Sequence, residues 1–336
     1  MTKPRYDVIA IGNAIVDVVA PCSDELIVEL NMAKGGMTLI DAAQARDLYD
    51  AMGPAREISG GSAANTLAGL SALGAQCAFI GQVADDQLGQ VFAHDIRAVG
   101  VDFDIAPRRT SQAEAEPPTA RCLIFVTPDG QRTMNTFLGA SQFLPAAAVD
   151  AESVASGGVL YLEGYLWDPA EPRAAMRVAI DAARQAGRKV ALTLSDTFVI
   201  ERHGDDFCKL IEAGQIDILF SNEAELAAIT GEPDFETALG MVAPRVPLLV
   251  VTRSEKGAVA LRGDERAEVA AEPVSEVVDT TGAGDLFAAG FLFGVVRGEA
   301  LEACLRRGAI AAAEIISHYG ARPEEDLQML MEAKIG

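Results

Sequence analysis

The 336-residue chain is poor in the residues that announce a metal centre or a disulfide framework. Its five cysteines, Cys22, Cys77, Cys122, Cys208 and Cys304, are dispersed with no C-x-x-C pair, which fits buried thiols in a reducing compartment. The three histidines, His94, His203 and His318, share no zinc-type spacing with one another or with the cysteines. Positive charge is scarce: 27 Lys and Arg against 49 Asp and Glu leave a net charge of -22. That field repels nucleic-acid phosphates and anionic membrane surfaces, so neither is expected as a partner. A small anionic ligand stays possible, because one short loop can create a positive field locally. The longest strongly apolar run, Leu286 to Val296, is too short to span a bilayer. Asp7 follows the basic N-terminal residues too soon for the apolar region of a signal peptide, and a cytoplasmic location is expected. No Gly-Lys dipeptide occurs, so a P-loop is excluded. Neither Gly12 nor Gly282-x-Gly284 completes a dinucleotide fingerprint, and the H-R-D and D-F-G elements of protein kinases are absent.

What is present is a foldable, well-patterned chain. Half the residues are hydrophobic and 23% are charged, enough to bury a sizeable core. The length fits roughly two units of about 150 residues, or one large α/β domain with an insertion. Short apolar runs at Tyr6–Ile11, Gln76–Ile80, Val159–Leu162, Val190–Leu194, Ile216–Phe220 and Pro247–Val251 read as buried strands. Helical patterns separate them, among them Gln87–Val99 and the Ala- and Arg-rich Ala170–Gln185. The alternation predicts a mostly parallel sheet covered on both faces. Two stretches break the rhythm. Pro117–Phe137 carries Pro128-Asp129-Gly130 between two strand-like runs, a hairpin signal. The segment from about Val16 to Ile40 is irregular and contains Gly35-Gly36. Both suit a small β-rich insertion standing off the main sheet, with Glu114–Pro118 as a short acidic link.

The most informative stretch is Asp279-Thr280-Thr281-Gly282-Ala283-Gly284-Asp285, followed by three apolar turns of a buried helix that should begin near Gly284. Glycines before a helix let its unpaired N–H groups approach a ligand, and with the helix dipole they form an anion site suited to phosphate. Asp285 then sits on the first turn beside that site, where it is placed to accept a proton. An anion cradle next to a base is what phosphoryl transfer to a hydroxyl requires. The alternative is a glycine-bearing loop with Asp285 as an ordinary capping acid.

The 279–285 segment resembles the C-terminal signature of the ribokinase-like (PfkB-type) family of carbohydrate and nucleoside kinases. Gly60 to Gln90, GGSAANTLAGLSALGAQCAFIGQVADDQLGQ, is similar to the family's N-terminal signature. The resemblance implies one large α/β kinase domain over residues 1–336, with a small β-rich lid formed by insertions at about 16–40 and 108–140. It implies Asp285 as the catalytic base acting on a substrate hydroxyl, and Gly282, Ala283 and Gly284 as the anion hole for the transferring phosphate of ATP. Asp17 matches the acid that grips sugar hydroxyls, and Gly60, Gly61 and Asn65 match the turn and amide near the same sugar. Read alone, Asp17 is a strand-end acid and Asn65 a helix-surface amide. Asn222 and Glu225 resemble an N-x-x-E element that helps place Mg²⁺ and phosphate, although Asn222 by itself reads as a helix cap. Thr252, Arg253 and Gly257 fall in a nucleotide-contacting loop. Ser254 stands where many members carry glycine, and Arg253 could offer its charge to the phosphates instead. His318, in Ser317–Arg322, is expected beside the nucleotide base. Asp279 and Thr281 would face a monovalent cation such as K⁺.

For the acceptor, Gly12-Asn13-x-x-x-Asp17 and Met37–Asp41 are more similar to the family's adenosine kinases than to its ribokinases, which places Asn13 at the substrate. Phe125, Met134 and Phe137 of the hairpin could form an apolar platform for a purine, or could be hairpin core. The expected activity is phosphorylation of adenosine to AMP at the 5′-hydroxyl. A kinase of ribose, fructose or a keto-sugar acid is the runner-up, and a non-catalytic nucleoside- or nucleotide-binding protein is the alternative of another class. Monomer and homodimer are both compatible with this pattern.

Overall fold

The computed structural model describes residues 4–109 and 117–335. Residues 110–116, which include most of the expected acidic link and part of the second expected insertion, lie outside the described residues.

The strands are β1 (Tyr6–Ile11), β2 (Ile15–Pro21), β3 (Met37–Leu39), β4 (Arg56–Gly60), β5 (Cys77–Ile80), β6 (Val101–Asp102) and β7 (Ala120–Val126). They continue with β8 (Arg132–Phe137), β9 (Gly157–Glu163), β10 (Lys189–Thr193), β11 (Ile218–Asn222), β12 (Leu248–Thr252), β13 (Ala258–Arg262) and β14 (Glu265–Val269). Nine of them form one sheet in the order β14-β13-β12-β11-β10-β9-β1-β5-β6. From β12 through β6 every pairing is parallel, while β13 and β14 add an antiparallel edge. The expected mixed α/β fold with a mostly parallel central sheet is therefore present. The parallel strands are buried on both faces, which is why they read as unbroken apolar runs. In β1, Val8 and Ala10 enter one core, and Ile9 and Ile11 enter the other.

The remaining five strands form a second sheet in the order β3-β8-β7-β2-β4. Strand β4 was not apparent from the sequence. It lies at an edge, half its residues stay accessible, and it ends in the Gly60-Gly61 turn, so it never builds an apolar run.

Two helices frame the candidate site. Ser62–Ala72 and Ala283–Arg297 are buried over most of their circumference. They pack closely at Gly69, where an added Cβ would overlap Leu286 and Ala289. That contact holds their first turns together.

Candidate active site

A cavity of about 410 Å³ opens at the C-terminal ends of β1, β9, β10, β11 and β12. Strand order reverses between β1 and β9, and the crevice outside such a reversal is the usual ligand position in open α/β sheets. Asn13, just past β1, and Glu163, the last residue of β9, bridge this point. Asn13 Nδ2 donates to Glu163 Oε1 over 2.6 Å, and Asn13 Oδ1 accepts from the Ser141 hydroxyl over 2.8 Å. Glu163 also accepts from the Ala63 N–H at 2.9 Å, so a strand carboxylate caps the Ser62–Ala72 helix. Burial pushes the Glu163 carboxyl up to about 7, against the opposing donation from Ala63 and Asn13.

Asp285, on the first turn of Ala283–Arg297, meets the first turn of Ser62–Ala72. The Ser62 hydroxyl donates to Oδ1 over 2.6 Å and Asn65 Nδ2 donates to Oδ2 over 3.0 Å. Burial raises the Asp285 carboxyl above the usual range, while Ser62, Asn65 and the Arg322 guanidinium pull it back toward the ionised form. Asp17 lines the same cavity from β2, and burial pushes it up to about 6 in spite of Arg132 and Arg322. The Gly60-Gly61 turn wraps these groups closely. A Cβ on Gly60 would overlap the Asp17 carboxylate, and Gly61, at φ +98°, passes against the Asn13 carbonyl.

The 279–285 loop leads into the Ala283–Arg297 helix where the sequence predicts an anion cradle. Gly282 caps the helix in the left-handed region, at φ +79°. The Thr281 N–H is held by the Asp279 carboxylate and the Ala283 N–H by the Thr280 carbonyl. The N–H groups of Gly282, Gly284 and Asp285 have no acceptor among the described residues. Three unpaired donors at the positive end of a fifteen-residue helix are chemically matched to phosphoryl oxygens. The N–H of Ala283, expected in the anion hole, is instead taken by the Thr280 carbonyl.

Opposite the cradle, the second sheet presents one face to the cavity. Ile15 and Asp17 of β2, Met37 and Leu39 of β3, Cys122 of β7, and Met134 and Thr136 of β8 line it, in a register that pairs Met37 with Met134 and Cys122 with Thr136. Strand alternation decides the aromatic platform. Phe125 and Phe137 have the opposite parity; Phe125 is fully buried in the core beneath the sheet and neither ring reaches the cavity. Met134 does, and Met37, Leu39 and Leu138 join it.

On the far side of the cavity lie Asn222, Glu225, Thr252 and Thr281. Asn222 and Glu225 form a reciprocal capping box at the Glu223–Thr230 helix, and burial pushes the Glu225 carboxyl up to about 7. Arg253 does not reach the cavity. It is paired with Glu223 at 2.9 Å and stacked 3.8 Å from the Phe235 ring centroid. Gly257 closes the turn after β12, its carbonyl accepting from the Arg253 N–H. His318 also lies outside the cavity lining, with Nε2 3.0 Å from Glu314 Oε1. Both Asp279 oxygens are occupied: Oδ1 accepts from Thr281, and Oδ2 accepts from the Gly320 N–H and pairs with Arg132 of β8. Burial raises the Asp279 carboxyl, but these donors more than offset it and hold it below its usual range. The Asp279 carboxylate, expected to face a monovalent cation, is thus engaged by the Arg132 guanidinium and by backbone and hydroxyl donors.

Sequence reasoning passed over Ser62, Glu163, Ser141, Arg132 and Arg322. Ser62 and Asn65 stand three apart on one helix and so share a face, a signal present in the sequence. A carboxylate ending a parallel strand, as Glu163 does, was also legible. The two arginines join the site through tertiary contacts that no local pattern encodes.

The sequence pattern of the pfkB family of carbohydrate kinases matches residues 21–327. The crystal structure of adenosine kinase from Sinorhizobium meliloti is 48% identical, covers 98% of this chain and 99% of its own, and superposes with a TM-score of 0.89. A Rhizobium etli structure described as a "probable sugar kinase" is 46% identical, covers 98% of each chain, and also has a TM-score of 0.89. An uncharacterized sugar kinase from Archaeoglobus fulgidus is 30% identical over 261 residues, covering 76% of this chain and 96% of that protein.

Proposed function

The chain belongs to the pfkB family of carbohydrate kinases, and from that premise we propose that it transfers the γ-phosphoryl group of ATP to the 5′-hydroxyl of a nucleoside, adenosine giving AMP. One observation carries the choice of acceptor: Asp285 and its cradle share a single cavity with the apolar face made by Met37, Leu39, Met134 and Leu138. A flat base fits such a face through dispersion and burial, while Asp17 and Asn13 suit ribose hydroxyls. A simple sugar would leave that apolar face without a partner. The 48%-identical adenosine kinase supports the same assignment.

In this mechanism Asp285 takes the proton of the attacking hydroxyl, and Ser62 and Asn65 hold its carboxylate in place. The N–H groups of Gly282, Gly284 and Asp285 donate to the transferring phosphoryl group. Thr252, Asn222 and Glu225 line the nucleotide side. Mg²⁺ neutralises phosphate charge when bound, and the sparse acidic set around Glu225 fits a metal held largely by phosphate and water. The second sheet acts as a lid over the acceptor within one kinase domain.

The sugar-kinase alternative draws on the relatives of that name at 46% and 30% identity. Coupled ADP release with adenosine, inosine, ribose and fructose separates the two. Adenosine should exceed both sugars in kcat/KM by at least about 100-fold, a difference of about 3 kcal/mol. Sugar turnover above adenosine turnover would overturn the assignment.

A further inference from the structure

Arg322 lies in the loop after the last long helix, and no contact places it on a ligand. Its side chain is half-buried and makes four hydrogen bonds. Nε and Nη2 donate to the Ser59 carbonyl at 3.2 and 2.7 Å, Nη2 reaches Ser59 Oγ at 2.8 Å, and Nη1 donates to the Ala64 carbonyl at 2.9 Å. Ser59 is the next-to-last residue of β4, just before the Gly60-Gly61 turn, and Ala64 lies between Ser62 and Asn65. The guanidinium fork therefore spans the turn that wraps Asp17 and the helical turn that grips Asp285. Ser59 is anchored from the other side by Asp95, which accepts its N–H at 2.8 Å and its hydroxyl at 2.5 Å.

We infer that Arg322 is a positioning residue for phosphoryl transfer: its guanidinium fork fixes the Ser59–Asn65 segment against Asp285 and brings a positive charge to that side of the site. The inference rests on the assignment of Asp285 as base. Ser62 and Asn65 from the Ser62–Ala72 helix bond Asp285, and the titratable groups electrostatically coupled to it are Asp17 from β2, Tyr161 and Glu163 from β9, Tyr165 from the turn beyond it, and Arg322. Among these Arg322 is the one cation. Asp17 feels the same guanidinium and that of Arg132, with Cys122 paired beside it on β7. In a chain of net charge -22, a half-buried cation that acts on both site carboxylates counters the prevailing field where a base must be ionised to accept a proton. The same loop supplies the Gly320 N–H to Asp279, so Arg322 also ties the acceptor turn to the entrance of the phosphate cradle.

The test compares the full-length protein with Arg322→Lys, Arg322→Met and Asp95→Asn, measuring kcat and KM from pH 5 to 9 together with thermal melting. Arg322→Met should lower kcat by about 100-fold and move the acidic limb of the kcat profile to higher pH. Arg322→Lys keeps the charge but not the fork. It should restore the position of that limb while leaving kcat about tenfold low. Asp95→Asn removes a negative charge facing Arg322 and should move the limb to lower pH, a shift opposite in sign that needs no change at Arg322 and covers the case in which Arg322→Met does not fold. Profiles in which the limb stays at its wild-type position in Arg322→Met and in Asp95→Asn would overturn the inference, leaving Arg322 a scaffold residue. Asp285→Asn run alongside separates the two claims: full activity there would overturn the base assignment and this inference together, whereas loss of activity with unshifted limbs in the other variants overturns the role of Arg322 alone.

Discussion

The Ser62 hydroxyl donates to Asp285 Oδ1 over 2.6 Å, joining two helices whose contacting residues stand 223 positions apart in the chain. The two signatures visible in the sequence thus meet at one carboxylate. One supplies the carboxylate and the other the donors that orient it.

Removing those donors tests the relationship directly. Ser62→Ala should lower kcat by about tenfold, as expected when a base loses an orienting hydrogen bond, with KM for ATP nearly unchanged. Because the hydroxyl stabilises the ionised carboxylate, its loss should also move the acidic limb of kcat to higher pH. A steady-state pH series checks both effects.

Parity on the second sheet gives a contrast between two hairpin side chains. Met134→Ala should raise KM for the nucleoside severalfold with a small change in melting temperature, because Met134 faces the cavity. Phe125→Ala removes a fully buried ring from the core and should cost about 3–5 kcal/mol in stability, with KM unchanged in the protein that folds. Paired denaturation and kinetic measurements check the assignment.

Much of this arrangement was legible in the sequence, and where legibility stopped has physical causes. The parallel strands announced themselves as apolar runs because both faces are buried. The cradle announced itself through glycines and threonine before an apolar helix. Which hairpin residues face the cavity depends on register: Phe125 and Phe137 looked as suitable as Met134 until pairing assigned their parity. Arg253 looked available to phosphate until Glu223 and Phe235 took its charge and its face. Arg132 and Arg322 meet their partners across 147 and 263 positions, separations that local patterns do not report.

The buried carboxyls set a pH dependence of stability. Glu163 and Glu225 rise to about 7 and Asp17 to about 6 in the folded state. A raised carboxyl means that the folded chain binds the proton more tightly than the unfolded chain. Its contribution is therefore present at low pH and lost as pH rises from the unfolded value through the folded one, with a slope that approaches about 1.4 kcal/mol per pH unit per group. Glu163→Gln should flatten the fall in unfolding free energy between pH 5 and about 7 in denaturant titrations. An unchanged slope would mean that Glu163 is ionised throughout.

The buried Arg132–Asp279 pair ties the second sheet to the loop before the cradle. Breaking one partner of a buried pair leaves an uncompensated charge, so Arg132→Ala should cost about 3–5 kcal/mol where the pair forms. Hydrogen exchange should rise in residues 128–137 of that variant, and protection equal to wild type would show that the pair does not hold the hairpin.

The most direct test of the central claim is a single-turnover measurement on Asp285→Asn with saturating adenosine and γ-labelled ATP. The account predicts that both ligands still bind and that the phosphoryl-transfer step falls by about 10²–10⁴-fold, the usual contribution of a positioned base. Transfer within a few-fold of the wild-type rate would contradict it.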